Sequence, residues 1–218
     1  MSLATYKKKR NFKKTAEPKP KQKRSKKALI FVVQEHSATR LHYDFRLEME
    51  GVLKSWAVPK GPSMNPDDRH LAVHVEDHPY DYKDFEGTIP EGNYGAGNVI
   101  VWDNGTYHSR ETDDPKKSEK ILLEGLKEGH ITFILHGKKL KGEFALVEMK
   151  GRGENAWLLL KKGDEYATTK DILKKDRSVK TRKILRMRKP VNASEKHTTR
   201  KTTTAKTNAR STRRKAVR

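Results

Sequence analysis

The chain has 218 residues and no cysteine. That absence excludes disulfides, a thiolate nucleophile and any zinc site built on sulfur, and it fits a reducing compartment. No apolar run approaches the ~20 residues needed to cross a bilayer. The opening residues MSLATYKKKR also lack the apolar stretch of a signal peptide. A soluble, cytoplasmic protein with no membrane partner is the expectation, with monomer as the default state. Acidic residues are scarce too, 28 against 49 Lys and Arg, for a net charge of +21.

The placement of that charge matters more than its sum. Residues 1–27 carry 12 basic residues against the single Glu17, and residues 170–218 carry 19 against three acidic ones. The stretch between them is mildly acidic, at −6. We read a basic N-terminal arm over 1–27, a folded body over 28–166 and a basic, largely disordered tail over 167–218. Lys-rich segments with few apolar groups are expected to be mostly disordered when free, although the segment from Arg10 and Phe12 to Pro18 breaks the charge pattern and is the part of the arm suited to lie across the body. On a polyanion they gain free energy by counterion release without reading any sequence. Nucleic acid is therefore the expected partner, and a nucleoid-associated location follows from it.

The most informative stretch is VVQEHSATRLHYDFRLEM over 32–49. From Arg40 it alternates strictly: Leu41, Tyr43, Phe45, Leu47 and Met49 on one side, Arg40, His42, Asp44, Arg46 and Glu48 on the other. A period of two marks a strand with one apolar and one polar face. A second imidazole, His36, lies just upstream across a small polar loop. Two imidazoles and a carboxylate suit a first-row divalent metal where no thiol competes. Arg46 beside them would grip an anion, most naturally a phosphate, with its planar fork. A lone His-x-Asp is more often the solvated face of an edge strand. Here the unbroken alternation and a second His-rich strand at 70–78 favour the metal.

Along the rest of the chain, 28–34 (ALIFVVQ) reads as a buried strand. Glu50-Gly51 reads as a tight turn into a strand over 52–58. Residues 70–76 (HLAVHVE) alternate, with Leu71, Val73 and Val75 expected inward. By parity His78 continues the His74 face, and His74 is assigned a supporting or solvent-facing place. The Gly-rich bend over 87–97 lacks a P-loop lysine, so its glycines are expected to serve tight turns. Asn98–Trp102 and Gly105–His108 read as a hairpin around Asp103-Asn104-Gly105. Residues 115–128 form a helix opened by Pro115, strands follow at 131–135, 142–149 and 156–161, and Thr168 with Asp171 would cap a short helix over 169–176. About eight short strands separated by glycine turns predict a mainly β fold, a small closed barrel with short flanking helices. Trp56 and Trp102 are expected in its core.

The ordered blocks FVVQEHSATRLHYDFRLEMEGVLKSWAVPKGPS, LAVHVEDHPYDY, FEGTIPEGNYGAG and WLLLKK resemble the 3′-phosphoesterase domain of bacterial DNA ligase D in its stand-alone form. The resemblance spans roughly residues 6–166 and implies a β-barrel enzyme that prefers manganese, with other divalent first-row ions as substitutes. It implies trimming of DNA 3′ ends on primer-templates: removal of a terminal ribonucleoside to leave a 3′-phosphate, then hydrolysis of that phosphate to a 3′-hydroxyl. Carried over residue by residue, His36, His42 and Asp44 match the metal ligands. Arg46 and His78 match the groups on the scissile phosphate, and Tyr82 and Gln34 match supporting positions. Arg10 and Glu17 match residues that serve ribonucleoside removal. Two positions depart. The family's arginine before Leu-Ala-Val is His70, which we keep among the catalytic candidates, and its aspartate after Arg10 is Asn11. End joining, with a Ku-type end binder and a separate ligase as partners, follows from the same resemblance.

The chemistry of these residues agrees with it. Three protein ligands leave a metal open positions, the layout of a catalytic site, and Arg46 would offset charge on the equatorial phosphate oxygens. An ordinary imidazole at position 78 can protonate the leaving sugar oxygen or steady the phosphate. Two other readings remain at this point. His-x-Asp with a distant His on a barrel is also the facial triad of a non-haem iron dioxygenase, against which stand the extra imidazole, Arg46 and the basic tails. A DNA-end or chromatin binding protein that has lost activity is the other.

Overall fold

The computed structural model describes residues 2–25, 27–153 and 155–173. Nine strands and two α-helices are present among them: α1 (Leu3–Lys8), β1 (Leu29–Ser37), β2 (Leu41–Met49), β3 (Val52–Val58), β4 (His70–Pro79), β5 (Gly87–Ile89), β6 (Gly97–Ser109), α2 (Pro115–Glu128), β7 (His130–Gly137), β8 (Lys141–Glu148) and β9 (Ala156–Lys161). A 3₁₀ turn over Tyr80–Asp84 follows β4. The strands pair antiparallel in the order β1-β2-β3-β4-β9-β8-β7-β6, and β6 pairs back onto β1. The expected closed eight-stranded barrel is therefore what forms, with β5 added along the first part of β6.

Alternation decides which side chains enter the barrel. Phe31, Phe45, Trp56, Phe133, Phe144 and Trp157 belong to its packed interior. Residues of opposite parity point outward, and there a second apolar cluster of Tyr6, Val32, Leu53, Tyr82, Phe85, Ile89 and Val99 forms. Glu50 and Gly51 join β2 to β3 with φ of 55° and 73°, the left-handed pair that suits the twist of a two-residue hairpin. Helix α2 starts on Asp114, which accepts from the Lys117 amide, and ends at Gly129 in the left-handed region. It packs on the barrel through Leu122.

The chain departs from the sequence expectations in four places. Asp103-Asn104-Gly105 is no hairpin turn, because β6 runs straight through it. The ladder with β1 shifts register beside Asp103, and Gly105 lies so close to β7 that a Cβ there would sit 2.1 Å from the His136 carbonyl oxygen. Asp103 instead caps the β7–β8 turn, accepting from the Lys138, Lys139 and Leu140 amides. In β4 the parity is reversed: Leu71 is exposed, Ala72 is buried in the core, and His74 stacks on Trp56 at 4.9 Å. A bulge then sets Val75 and His78 opposite Ser55 and Leu53, so His74 and His78 do not share a face.

The remaining two departures are at the ends. The N-terminal arm is expected to be mostly disordered, yet residues 2–25 lie across the outer face of the barrel as a strap. Tyr6 is fully buried there, its hydroxyl donates to the Pro18 carbonyl, and the Lys23 amide donates to the Gly51 carbonyl. Buried Glu48 ties down the end of the strap, accepting from the Ser25 and Ile30 amides. The predicted helix over 169–176 is a pair of bends where it is described, over 169–173; its remainder and the rest of the basic tail lie outside the described residues.

Candidate functional site

The two-residue periodicity of β1 and β2 turns Gln34, His36, His42, Asp44 and Arg46 to one side, away from the barrel interior. His36 and His42 are direct partners across the β1–β2 ladder. Their rings lie 4.6 Å apart. His36 Nδ1 stands 3.5 Å from Asp44 Oδ2, and His42 Nε2 stands 3.6 Å from Asp44 Oδ1.

The other nitrogen of each ring is already engaged. His36 Nε2 lies 2.9 Å from the Gly95 carbonyl oxygen, and His42 Nδ1 lies 3.0 Å from that of Arg40. A carbonyl only accepts, so each of these nitrogens carries the proton and the opposite nitrogen presents a lone pair to Asp44. Backbone carbonyls that set a tautomer in this way are the usual support of metal-ligating histidines. Two lone pairs and a carboxylate facing one another, too far apart for hydrogen bonds, ask for a cation between them. Ligands about 2.1 Å from a shared ion lie about 3.0–3.4 Å apart; each imidazole is close to that distance from Asp44, and the three ligand atoms all lie within 4.8 Å of one another. The three side chains therefore fit a divalent metal. Burial alone would raise the Asp44 carboxyl, but the Arg46 guanidinium bonded to it holds it well below the usual carboxylate range, so it stays anionic.

Arg46 is buried, and three of its N–H groups are committed. Nε donates to Gln34 Oε1 at 2.8 Å, Nη1 to Ser55 Oγ at 2.9 Å and Nη2 to Asp44 Oδ2 at 2.9 Å. Gln34 can offer its oxygen because its amide nitrogen donates to the Tyr82 and Phe85 carbonyls. The guanidinium also lies 4.7 Å from the centre of the Tyr82 ring. Every one of these contacts orients the fork beside Asp44, and a guanidinium has five N–H donors, so two are left for an anion.

The strap supplies the facing wall. Arg10 donates from Nε to Glu17 at 2.9 Å and from Nη1 to Glu76 at 2.7 Å, and its Nη2 lies 3.2 Å from His78 Nε2. Tyr82 donates its hydroxyl to Glu17 at 2.9 Å. Lys9 reaches Glu76 at 2.9 Å and the Tyr94 hydroxyl at 3.1 Å. Burial would raise the Glu76 carboxyl, but Arg10 and Lys9 bring it below its ordinary value.

His78 departs from the role its residue type suggests. Nδ1 donates to the Glu76 carbonyl at 2.8 Å, which leaves Nε2 as an acceptor facing Arg10. Burial, with Arg46 and Arg10 nearby, pushes its pKa well below 6.5. It is therefore held neutral at physiological pH, and its Nε2 has no proton to give a leaving group. Burial likewise pushes the Tyr82 phenol well above 10, so it stays protonated.

Arg10, His36, His42, Asp44, Arg46, His78 and Tyr82 line one cavity of about 180 Å³, together with Glu76, Tyr94 and Gly95. Gln34 and Glu17 stand behind it. His70 is not brought to it. At the far end of β4 from His78, it bonds the Gly61 carbonyl at 2.6 Å and lines a separate cavity with Lys60, Ser63 and Asp68. Asn11 is exposed, and its side chain accepts from the Lys13 amide in a turn that carries the strap past Arg10.

Sequence reasoning missed Lys9, Ser55, Glu76 and Tyr94 as site residues. Glu76 had a signal, a carboxylate two residues before His78 on the same face by parity, but no partner for it could be read from the sequence, because Lys9 and Arg10 reach it from the arm. Tyr94 lay in a stretch read only for its glycines, whose contribution proves to be the Gly95 carbonyl.

Residues 34–148 match the sequence profile of the DNA ligase D 3′-phosphoesterase domain. The multifunctional non-homologous end joining protein LigD of Pseudomonas aeruginosa is 51% identical over 172 residues, covering 78% of this chain and 19% of that protein. The multifunctional non-homologous end joining DNA repair protein LigD of Mycobacterium tuberculosis is 46% identical over 158 residues, 72% of this chain and 19% of its own length. The multifunctional non-homologous end joining protein LigD of Mycolicibacterium smegmatis is 43% identical over 164 residues, covering 75% of this chain and 21% of that protein. The chain thus spans about a fifth of the length of these curated relatives.

Proposed function

Because this chain belongs to the DNA ligase D 3′-phosphoesterase domain family, we propose that it is a metal-dependent hydrolase that restores 3′-hydroxyls on DNA ends. The observation that carries the reading is the trio His36, His42 and Asp44, with both imidazole protons spent on backbone carbonyls and Arg46 bonded to the carboxylate. Manganese is the ion we assign to it. When bound, such an ion polarises a phosphoryl oxygen and lowers the pKa of a water.

The chain's own residues do the rest. Arg46 directs its two uncommitted N–H groups at the equatorial oxygens of a terminal phosphate, where negative charge grows in the transition state. Gln34, Ser55 and Asp44 prevent the guanidinium from turning away. His78 accepts from Arg10 and so aims that second cation into the cavity, a positioning role rather than proton donation. Water attacks phosphorus and the bond to O3′ breaks; the water's oxygen stays on phosphorus and one of its protons ends on O3′, giving a 3′-hydroxyl and inorganic phosphate.

Removal of a 3′-terminal ribonucleoside is the second activity we assign, served by Arg10 and Glu17 on the strap. The relatives are named as non-homologous end joining proteins, so the role proposed here is cleaning ends before a separate ligase seals them, alongside a Ku-type end binder. The basic segments would keep the enzyme on DNA between cuts.

The test is a primer-template ending in a 3′-phosphate, and a second with one 3′-ribonucleotide, incubated with manganese. Conversion of the first to a 3′-hydroxyl is expected. If the ends stay intact while the DNA is bound, the catalytic reading fails and an end-binding protein is left.

A further inference from the structure

Among the described residues, four large apolar or aromatic side chains stand exposed: Leu41, Leu71, Tyr94 and Tyr166. Only Tyr94 of these also lines the cavity that holds His36, His42, Asp44 and Arg46. It is 50% exposed, an unusual place for a ring at the mouth of an otherwise polar and charged site.

The ring is held in place from two sides. Lys9 donates to its hydroxyl at 3.1 Å and places an ammonium 4.3 Å from the ring centre, while the same nitrogen bonds buried Glu76. The next residue, Gly95, has φ of 76° and bonds His36 through its carbonyl. One residue thus separates the ring from a backbone atom that supports the metal-fit cluster. The Arg10 guanidinium lies farther off, 5.6 Å from the ring centre, and half of the ring stays open to solvent. A fixed, half-open aromatic face flanked by cations is the device by which proteins hold unpaired bases, since every base has a π-face.

We propose that Tyr94 is the stacking platform for the base of the 3′-terminal nucleoside, presenting the face that Lys9 leaves open. This rests on the 3′-end reading above and adds what that reading lacks, a group that recognises the nucleoside rather than the phosphate. Because stacking is tolerant of base identity, all four terminal bases should be accepted. A terminal nucleotide without a base should bind poorly.

The test compares wild type with Tyr94→Leu and Tyr94→Phe on 3′-phosphate primer-templates whose terminal nucleotide is either normal or abasic, with manganese present. Tyr94→Leu should raise KM on the normal end by on the order of tenfold with kcat little changed. It should leave the already high KM on the abasic end unmoved, and Tyr94→Phe, which keeps the ring but loses the Lys9 bond, should lie far closer to wild type than Tyr94→Leu on the normal end. Binding is read separately with 2-aminopurine as the terminal base, whose fluorescence should be quenched by wild type and by Tyr94→Phe but not by Tyr94→Leu. Quenching without hydrolysis would sink the enzyme while sparing the platform. Hydrolysis with no Tyr94-dependent quenching, or an equal loss of kcat on both ends, would overturn the platform and leave Tyr94 as a prop for His36.

Discussion

Replacing Glu76 with Gln should loosen the strap without weakening the barrel. In the native protein Glu76 Oε1 accepts from Arg10 at 2.7 Å and Oε2 from Lys9 at 2.9 Å, with Arg10 and Glu76 side chains only 5% and 2% exposed. An amide has one acceptor, so Gln must choose. Arg10 cannot leave, whereas the Lys9 side chain is 35% exposed and can turn to water. The variant therefore loses the Lys9 pair, worth at most about 1 kcal/mol at that exposure. It also keeps the Arg10 bond without its charge assistance, which removes roughly half of about 2 kcal/mol. The sum, about 2 kcal/mol, is roughly a thirtyfold shift toward an open strap.

Amide hydrogen exchange reads this directly. The Tyr6, Lys9 and Arg10 amides, which bond Ser2, Thr5 and Lys7 carbonyls, should lose protection by about that factor while barrel amides keep theirs. The effect also has a sign in pH. Burial opposes ionisation of Glu76, but the bonds to Arg10 and Lys9 lower its folded pKa below the unfolded value. Its contribution is thus complete above the unfolded pKa of about 4.3 and is lost as pH falls through the lower folded one. Wild type and variant should converge in acid. Unchanged protection in the strap, or an equal loss across strap and barrel, would refute the claim that Glu76 is the clasp.

Three further changes test other parts of the structure. Asp44→Asn keeps a carbonyl for Arg46 but removes the anionic ligand, so manganese should no longer raise Tm and manganese-dependent phosphate release should fall by roughly a hundredfold or more; an intact Tm response would remove Asp44 from the metal site. His74 is pushed down to about 4 by burial between Trp56 and Trp157, with its Nε2 unbonded. The unfolded chain thus binds the extra proton between about pH 4 and 6.5, where stability rises with pH, and His74→Phe should flatten that slope and add about 1–2 kcal/mol at pH 5 in urea titrations. At Gly97, φ is 147° and a Cβ would sit 2.4 Å from the Ser37 carbonyl oxygen, so Gly97→Ala should cost about 2–3 kcal/mol and weaken metal binding through His36. Gly92→Ala, with nothing within 4 Å of the added methyl, is the milder control.

How legible the site was depended on the distance over which each part is decided. His42, Asp44 and Arg46 could be placed on one face because β2 alternates without interruption, and His36 followed because a three-residue loop leaves little choice but a hairpin. The barrel was legible for the same reason, as repeated short strands with glycine between them. Asp103-Asn104-Gly105 misled because its local turn preference is strong. Pairing with β1 on one edge and β7 on the other overrode it, and the glycine was needed for close approach instead of a bend. His70 looked catalytic only by its position in the chain; the ladder carries it to another cavity.

By itself the order of residues determined the barrel, the polar face of β2 and the imidazole, carboxylate and guanidinium that it carries. These follow from a period of two, a property of neighbouring residues that runs unbroken through β2. Only the tertiary structure decided that the basic arm is a wall of the cavity, that His78 is a neutral acceptor and that Glu76 clasps the arm. Arg10 meets Glu76 and His78 across 66 and 68 residues of chain. A bulge that shifts one strand by one residue, and a strap held by charges brought together from that far apart, arise only when the chain has folded.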